Sequence, residues 1–195
     1  MSPLRELALT PGWIYEAVVC TDLEGSPHAS PAGVWTTDLR SLNMELYDTS
    51  RSLPALLAAG EFCVDLPADA GAFFLALYDP SALSFGRASV VSAPCLTDAT
   101  ATVELAVAEA TPHDGRTLVT GAVRHVTTRG GVRLINRAEG LLVESLVAAT
   151  RAGLRSREST LALVTENARV AAKVAPGSRF ATTLARLRDG LAQES

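Results

Sequence analysis

The residues best suited to chemistry in this sequence are the run Thr49-Ser50-Arg51-Ser52. Its three hydroxyl groups and one guanidinium stand where an alternating, strand-like segment ends and a short helical segment begins. Free backbone N–H groups and the positive end of a helix dipole favour an anion at such a point, and arginine adds a fork of donors that suits phosphate oxygens. The run therefore indicates a phosphate site, although an ordinary serine cap beside a solvated arginine would have the same residues.

A second stretch with chemical meaning lies upstream, at Ala29-Ser30-Pro31-Ala32-Gly33-Val34. Small residues let a flat ligand approach the backbone closely, and a proline removes one hydrogen-bond donor from a strand. The strand that holds Pro31 must therefore lie at an edge, be bulged, or run beside something other than a strand. Two interpretations stay open, a surface for a flat ligand and an edge strand with a bulge.

Other catalytic signatures are missing from the sequence. There is no Gly-x-Ser-x-Gly elbow, no phosphate loop ending in Lys-Ser/Thr and no Gly-x-Gly-x-x-Gly after a strand. The acidic residues are scattered, so a hydrolase has no motif to support it. His28 and His113 lack partners at metal-ligand spacing, and no metal site is expected. His28 and Tyr47 are the only general-acid candidates near the two stretches, and a structural role is favoured for each.

Composition limits the partners and the compartment. The 195 residues carry a net charge of −4, with 48% hydrophobic and 19% charged residues, which suits one substantial core. Mild acidity argues against a nucleic-acid or anionic-membrane partner, and neither a membrane-spanning run nor a secretory signal is found. The three widely spaced cysteines, Cys20, Cys63 and Cys95, favour free thiols in a cytoplasmic protein.

The elements that must position these residues change type along the chain. Alternating apolar residues predict strands over the first two thirds, for example at Leu42, Met44 and Leu46. Pro54 places the N-cap of a short helix near Ser52. From Asn136, three residues before Glu139 in a capping-box-like start, the period becomes helical. We expect a single domain over residues 1–195, with a β-rich core at 10–134 and a helical segment at 135–195 packed on it.

Five pieces in one order resemble domain-of-unknown-function family 447, whose fold is related to the flavin reductases and the pyridoxamine-phosphate-oxidase-like barrels. The resemblance runs from about Trp13 to Arg151. The matching pieces are Ile14-Tyr15-Glu16-Ala17-Val18-Val19; Gly25 through Val34; Ser50-Arg51-Ser52 with Leu56-Leu57 and Gly60-Glu61; Leu96-Thr97-Asp98-Ala99 leading to Val103-Glu104; and Ile135-Asn136-Arg137-Ala138 leading to Glu144 and Ala149-Thr150-Arg151.

The resemblance implies an α+β, mainly β fold: an FMN-binding split β-barrel over residues 10–134 with a C-terminal helical segment. It also implies a homodimer that holds FMN near the subunit interface. Carried over to this sequence, Ser50, Arg51 and Ser52 would hold the phosphate. Asn136 and Arg137 would lie near the isoalloxazine ring. The ring itself would lie against the backbone of Ala29, Ser30, Pro31, Ala32, Gly33 and Val34.

Three positions depart from the family pattern. Ala55 and Asp65 stand where relatives favour asparagine, and Ala32 replaces a usual methionine. Ala55 removes one ligand contact, and a carboxylate at Asp65 would repel the phosphate if it faced it.

Three functions follow from the resemblance. The first is an FMN-dependent oxidoreductase of unknown substrate, in which the flavin carries the hydride chemistry. The second is a non-catalytic flavin-binding or carrier protein. The third keeps the fold but binds a deazaflavin or a pterin-type cofactor.

Overall fold

The computed structural model describes residues 3–150 and 156–193. They form two compact units. The first holds the described residues up to Pro11 together with Tyr15–Ile135, and the second holds Gly12–Ile14 together with the described residues from Asn136 onward. That the helical segment packs on the barrel as one domain stays a prediction.

The first unit is a closed barrel of six antiparallel strands in the order β1-β2-β3-β8-β7-β4. A two-stranded hairpin, β5-β6, lies outside it. The eight strands are β1 (Tyr15–Leu23), β2 (Ser26–Trp35), β3 (Ser41–Tyr47), β4 (Glu61–Pro67), β5 (Phe85–Arg87), β6 (Pro94–Leu96), β7 (Ala99–His113) and β8 (Arg116–Thr128). The helices of this unit are α1 (Ser52–Ala59), α2 (Gly71–Tyr78) and two 3-10 turns, Arg5–Leu7 and Pro80–Ala82.

The barrel interior follows from the alternation of side chains along each strand. Leu42, Met44 and Leu46 of β3 are buried while the residues between them are half-buried, as period-two packing requires. Gly121 shows how tightly the interior is filled, because a Cβ there would lie 2.7 Å from Phe62 Cζ and 2.8 Å from Leu105 Cδ2. The predicted split barrel with its inward β3 face is confirmed.

Among the described residues, strand β2 has one edge that is free of a strand partner along most of its length. It pairs with β1 from Ser26 to Val34, but within the described chain it pairs with β3 only at Val34 and Trp35. Residues 26–33 therefore have one edge without a strand partner. This explains how Pro31, which has no N–H, is accommodated. The β1–β2 register runs through Pro31 without a shift, so the free edge is present without a bulge against β1, and the surface for a flat ligand stays a prediction.

A second apolar layer covers the outer face of β1 and β4. It joins Val18, Cys20 and Cys63 of the barrel to Cys95 and Leu96 of β6, with α2 packed alongside. All three cysteines are buried free thiols. Because β1 is covered on both faces, its residues are buried from Ala17 to Thr21 without alternation.

Glu104 ties the segment before β6 to the barrel. Its buried carboxylate accepts the backbone N–H groups of Ser89, Val90 and Val91 at 2.8, 2.6 and 3.1 Å. Burial raises the pKa of this carboxyl, but the backbone donors outweigh burial and hold the pKa below its usual value. The carboxylate thus substitutes for a strand partner along residues 89–91.

Replacing Glu104 by glutamine is expected to lower the free energy of unfolding by about 2–3 kcal/mol at neutral pH, because an amide NH2 group would face backbone donors and the charge-assisted bonds would be lost. Urea denaturation measures the loss. The matched control is Glu109→Gln on the same strand, an exposed residue whose change should stay within about 0.5 kcal/mol. Equal effects of the two substitutions would refute the role given to Glu104.

The second unit consists of helices α3 (Arg137–Thr150), α4 (Arg157–Val174) and α5 (Arg179–Gln193). Its core joins Ala138, Ala171 and Leu184, and the rings of Trp13 and Phe180 meet edge to face at 6.5 Å. Gly12–Ile14 belongs to this unit because the Ile14 N–H donates to the Val174 carbonyl at 2.9 Å. No helix in the described ranges is long and apolar enough to cross a membrane.

Candidate functional site

The two stretches singled out in the sequence meet in the structure. The Ser30 hydroxyl of β2 and the Ser52 hydroxyl of α1 lie 2.6 Å apart and share a hydrogen bond. Ser52 is buried and Ser30 is half-buried, whereas the neighbouring Arg51 is exposed to solvent. The free edge of β2 and the start of α1 therefore form one site.

The start of α1 offers unused donors. The chain leaves β3 in a turn in which the Ser50 N–H donates to the Tyr47 carbonyl at 2.8 Å. The helix then begins at Ser52 with Arg51 as N-cap, and Arg51 makes no side-chain capping bond. The Ser50 hydroxyl accepts the Ser52 N–H at 3.3 Å. The helix thus starts one residue earlier than predicted, and its first turn keeps N–H groups available for an anion.

A glycine sets the C-terminal end of α1. Gly60 adopts a left-handed backbone with φ of 69°, and its N–H donates to the Leu56 carbonyl. This closure fixes an eight-residue helix whose N-terminus lies beside β2. Ala55 is half-buried in the first half of the helix.

Residues 29–34 present a shallow backbone surface. Ala29, Ala32 and Val34 are buried, while Ser30, Pro31 and Gly33 are half-buried. Ala29 packs into the outer apolar layer, which anchors the strand from behind. The stretch from Ser30 to Gly33 therefore has an anchored neighbour at Ala29 and no large side chain to block a flat group.

His28 adds a titratable group to this site. Burial lowers the pKa of the His28 imidazole, and the positive charge of Arg51 lowers it further. The Arg51 charge is therefore close enough to act on the His28 ring. His28 is neutral at pH 7, which leaves Arg51 as the cation of the site.

Replacing Arg51 by alanine is expected to raise the pKa of His28, because the substitution removes a positive charge that disfavours the imidazolium. The rise should leave the pKa below 6.5, the ordinary value, since burial remains. Titration of the His28 ring protons by NMR measures it. The control is Arg5→Ala, an exposed arginine of the first 3-10 turn. An unchanged His28 titration in Arg51→Ala would contradict the proximity.

Tyr47 contributes to the barrel end and not to the site surface. Its ring lies under the Arg116 guanidinium, 4.8 Å from the ring centre, and its hydroxyl accepts from Arg116 Nη2 at 3.3 Å. Arg116 also pairs with Glu45 at 3.1 Å. These contacts support the structural role favoured for Tyr47.

Asp65 does not face the anion site. It lies in the outer layer, where its carboxylate accepts the Leu96 N–H at 2.9 Å and the Thr102 hydroxyl at 2.5 Å. Burial raises the pKa of Asp65 to about 6 even though these donors lower it. A carboxylate at Asp65 would repel a bound phosphate only if it faced the phosphate. Its hydrogen bonds direct the carboxylate toward β6 and β7 instead.

Asn136 and Arg137 belong to the second unit. The Asn136 amide donates to the carbonyls of Ile14 and Val174, both at 2.8 Å, and accepts the Ala138 N–H at 2.8 Å. It therefore caps α3 and anchors residues 12–14, as the capping-box pattern indicates. Arg137 is the first residue of α3. Their approach to a bound ring stays a prediction.

The described residues contain no group of His, Cys, Asp or Glu side chains that could hold a metal ion. A cleft that the sequence did not reveal lies elsewhere in the first unit, with a volume of about 360 Å³ between α2 and the end of β4. Its lining comes from three separate stretches of the chain, 67–75, 82–84 and 96–99, and no local sequence pattern marks it.

A known family model covers most of the first unit. Residues 15–129 match the family model described as the N-terminal domain of a protein of unknown function, DUF447. The chain belongs to the DUF447 family. The matched residues include all of β1–β8, α1 and α2. No curated protein matches this DUF447 chain.

Solved structures similar to the DUF447 chain share its fold at low identity. An FMN-bound DUF447 protein from Methanosarcina mazei is 20% identical with a TM-score of 0.58, over 96% of this chain and 99% of its own. The NADH:FAD oxidoreductase SgcE6 from Streptomyces globisporus is 18% identical with a TM-score of 0.54, over 67% and 83%. An FMN-binding protein from Thermus thermophilus with bound 1-cyclohex-2-enone is 20% identical with a TM-score of 0.53, over 63% and 73%. The predicted relation to the flavin-reductase barrels is confirmed at the level of fold.

Proposed function

We propose that this chain binds FMN at the surface formed by the free edge of β2 and the start of α1. Ser50, Arg51 and Ser52 hold the phosphate, and the backbone of residues 29–34 supports the isoalloxazine ring. The observation that carries the proposal is the 2.6 Å contact between the Ser30 and Ser52 hydroxyls. It brings the start of α1 and the backbone of β2 together, so one ligand can contact both.

The residues present fit the cofactor chemically. The Arg51 side chain makes no capping bond at the start of α1, and the first turn of a helix binds an anion through backbone N–H groups. Arg51 is exposed and has the fork geometry that phosphate oxygens accept. The neutral His28 ring donates or accepts one further hydrogen bond. Because it carries no charge, it does not compete with Arg51 for the phosphate. When bound, FMN supplies hydride or electron transfer, and the protein supplies its position and hydrogen bonds.

Relatives support the cofactor and the class of reaction. The M. mazei protein, which spans nearly the same length, is FMN-bound, and SgcE6 is an oxidoreductase. We propose that this chain is an FMN-dependent oxidoreductase of unknown substrate. A non-catalytic flavin carrier is the second candidate, favoured by the lack of an evident general acid at the site. A deazaflavin or pterin-type ligand on the same barrel is the third.

Anaerobic reduction distinguishes the first two candidates. The FMN-loaded protein is mixed with NADH or NADPH without oxygen, and flavin absorbance is followed. Bleaching at a rate well above that of free FMN supports the oxidoreductase. A spectrum that stays oxidised with both donors, while dithionite bleaches it, supports the carrier. Stabilisation by a deazaflavin or a pterin but not by FMN supports the third candidate.

The proposal extends to assembly and compartment. We propose a homodimer with FMN near the subunit interface, where Asn136 and Arg137 approach the ring, and a cytoplasmic location that suits the three buried thiols. Net charge of −4 supports neither a nucleic-acid nor a membrane partner. Light scattering on the eluting FMN complex tests the dimer, and a clean monomer that binds FMN tightly would exclude the interface site.

A further inference from the structure

We infer that the cleft between α2 and the end of β4 is a second binding site, for a small apolar molecule that carries a protonated amine. The cleft has a volume of about 360 Å³, which lies at the small end of the range for ligand sites. It shares no residue with the proposed flavin site at residues 28–34 and 50–52, so the two proposals stand or fall separately.

Apolar side chains form the walls of the cleft. Phe74 and Leu75 come from α2, Leu83 follows the second 3-10 turn, and Leu96 ends β6. Leu96 is buried, whereas the Phe74 side chain is 60% exposed. The Phe74 ring therefore has an accessible face against which a hydrocarbon group or a cation can pack.

Two carboxylates determine the charge that the cleft accepts. Asp69 and Asp98 both line it and both are exposed. Asp69 Oδ1 accepts the Gly71 N–H at 2.6 Å and Asp98 Oδ1 accepts the Thr97 hydroxyl at 3.2 Å. The second oxygen of each carboxylate makes no hydrogen bond or ion pair with any described residue.

Basic side chains do not neutralise these carboxylates inside the cleft. Among the described residues that line it, none is Lys, Arg or His. Arg133 reaches the neighbouring Ala68 carbonyl with Nη1 at 2.8 Å but does not line the cleft. Apolar walls beside two half-satisfied carboxylates complement a hydrophobic amine and oppose a carboxylate or phosphate of the same size.

Three probes of equal size test the charge preference. Benzylamine, benzyl alcohol and benzoate are titrated into the purified full-length protein at neutral pH and followed by 15N–1H NMR. Benzylamine is expected to shift the amides of Ala72, Leu83 and Ser84. It should also bind roughly fivefold more tightly than benzyl alcohol, because its ammonium group forms two solvent-exposed ion pairs of modest strength. Benzoate is expected to leave these amides unshifted. Benzoate binding as tightly as benzylamine, or benzylamine leaving the cleft amides unshifted, would overturn the inference.

Two variants separate the charge from the cavity. Asp98→Asn should reduce the preference for benzylamine over benzyl alcohol to about twofold, while Asp114→Asn in the exposed β7–β8 turn should leave it intact.

Ala82→Trp fills the cleft mouth and should abolish the shifts from both probes. Val90→Trp, at an exposed residue that does not line the cleft, is its control. Unchanged benzylamine binding in Ala82→Trp would place the amine elsewhere and refute the site.

Discussion

Arg51→Ala is expected to weaken FMN binding roughly 10- to 100-fold while riboflavin binding changes by less than about twofold. The two ligands differ by the phosphate, and a charge-assisted hydrogen bond contributes about 1.5–3 kcal/mol, where 1.4 kcal/mol is a factor of ten. Isothermal titration of each ligand into wild-type and variant protein gives the ratio. Equal weakening of FMN and riboflavin would show that Arg51 does not contact the phosphate.

The Arg51 result needs a control for net charge. Arg5→Ala removes the same charge from an exposed residue of the first 3-10 turn and should leave both ligands unaffected. The Arg51→Ala variant should fold normally, since Arg51 is exposed and makes no capping bond with its side chain. A loss of FMN affinity in both variants would indicate long-range attraction and not a bound phosphate.

Asp65→Asn is expected to stabilise the protein at neutral pH and to change its pH dependence. The pKa of Asp65 is raised from 3.8 to about 6 by burial, against the opposing effect of its hydrogen bonds. Between these two values the folded state binds more protons than the unfolded state, so the stability that Asp65 contributes falls as pH rises from about 4 to above 6. The shift corresponds to about 3 kcal/mol.

The measurement is the difference in unfolding free energy between Asp65→Asn and wild type across that pH range. This difference should grow by about 2.4 kcal/mol from pH 4 to pH 7.5, because asparagine does not titrate and the unfolded Asp65 is already more than half ionised at pH 4. The asparagine amide can still accept the Leu96 N–H and donate to the Thr102 hydroxyl, both of which bond to Asp65. Asp114→Asn, in an exposed turn, should show no such trend. A difference that stays constant with pH would contradict the buried carboxylate.

The barrel and the anion site could be predicted because their signals are local. Alternation at Leu42, Met44 and Leu46 fixes which face of β3 is inward, and Pro31 restricts its strand to an edge. The predicted N-cap of α1 lies one residue too late in the chain. The preceding turn, in which the Ser50 N–H donates to the Tyr47 carbonyl, decides where the helix begins. The contact between Ser30 and Ser52 depends on the β1–β2 register, which no local pattern contains.

The outer layer could not be predicted for a related physical reason. Its strands β5 and β6 have three residues each, too short to show a period. Glu104 is held by three backbone N–H groups. Every residue except proline has such a donor, so the residue types at these positions do not reveal the contact. In the sequence Asp65 stands out only as a departure from the family pattern, and only the fold shows that it is bonded to β6 and β7.

The most direct test of the central proposal compares the amide shifts that FMN and riboflavin cause in the same 15N-labelled protein. We expect both ligands to shift Ser30, Ala32 and Gly33, which support the ring. Only FMN should shift Ser52 and Leu53, at the start of α1, because only FMN carries a phosphate. If FMN binds without shifting Ser52 and Leu53, or does not bind at all, the site proposed between β2 and α1 is wrong.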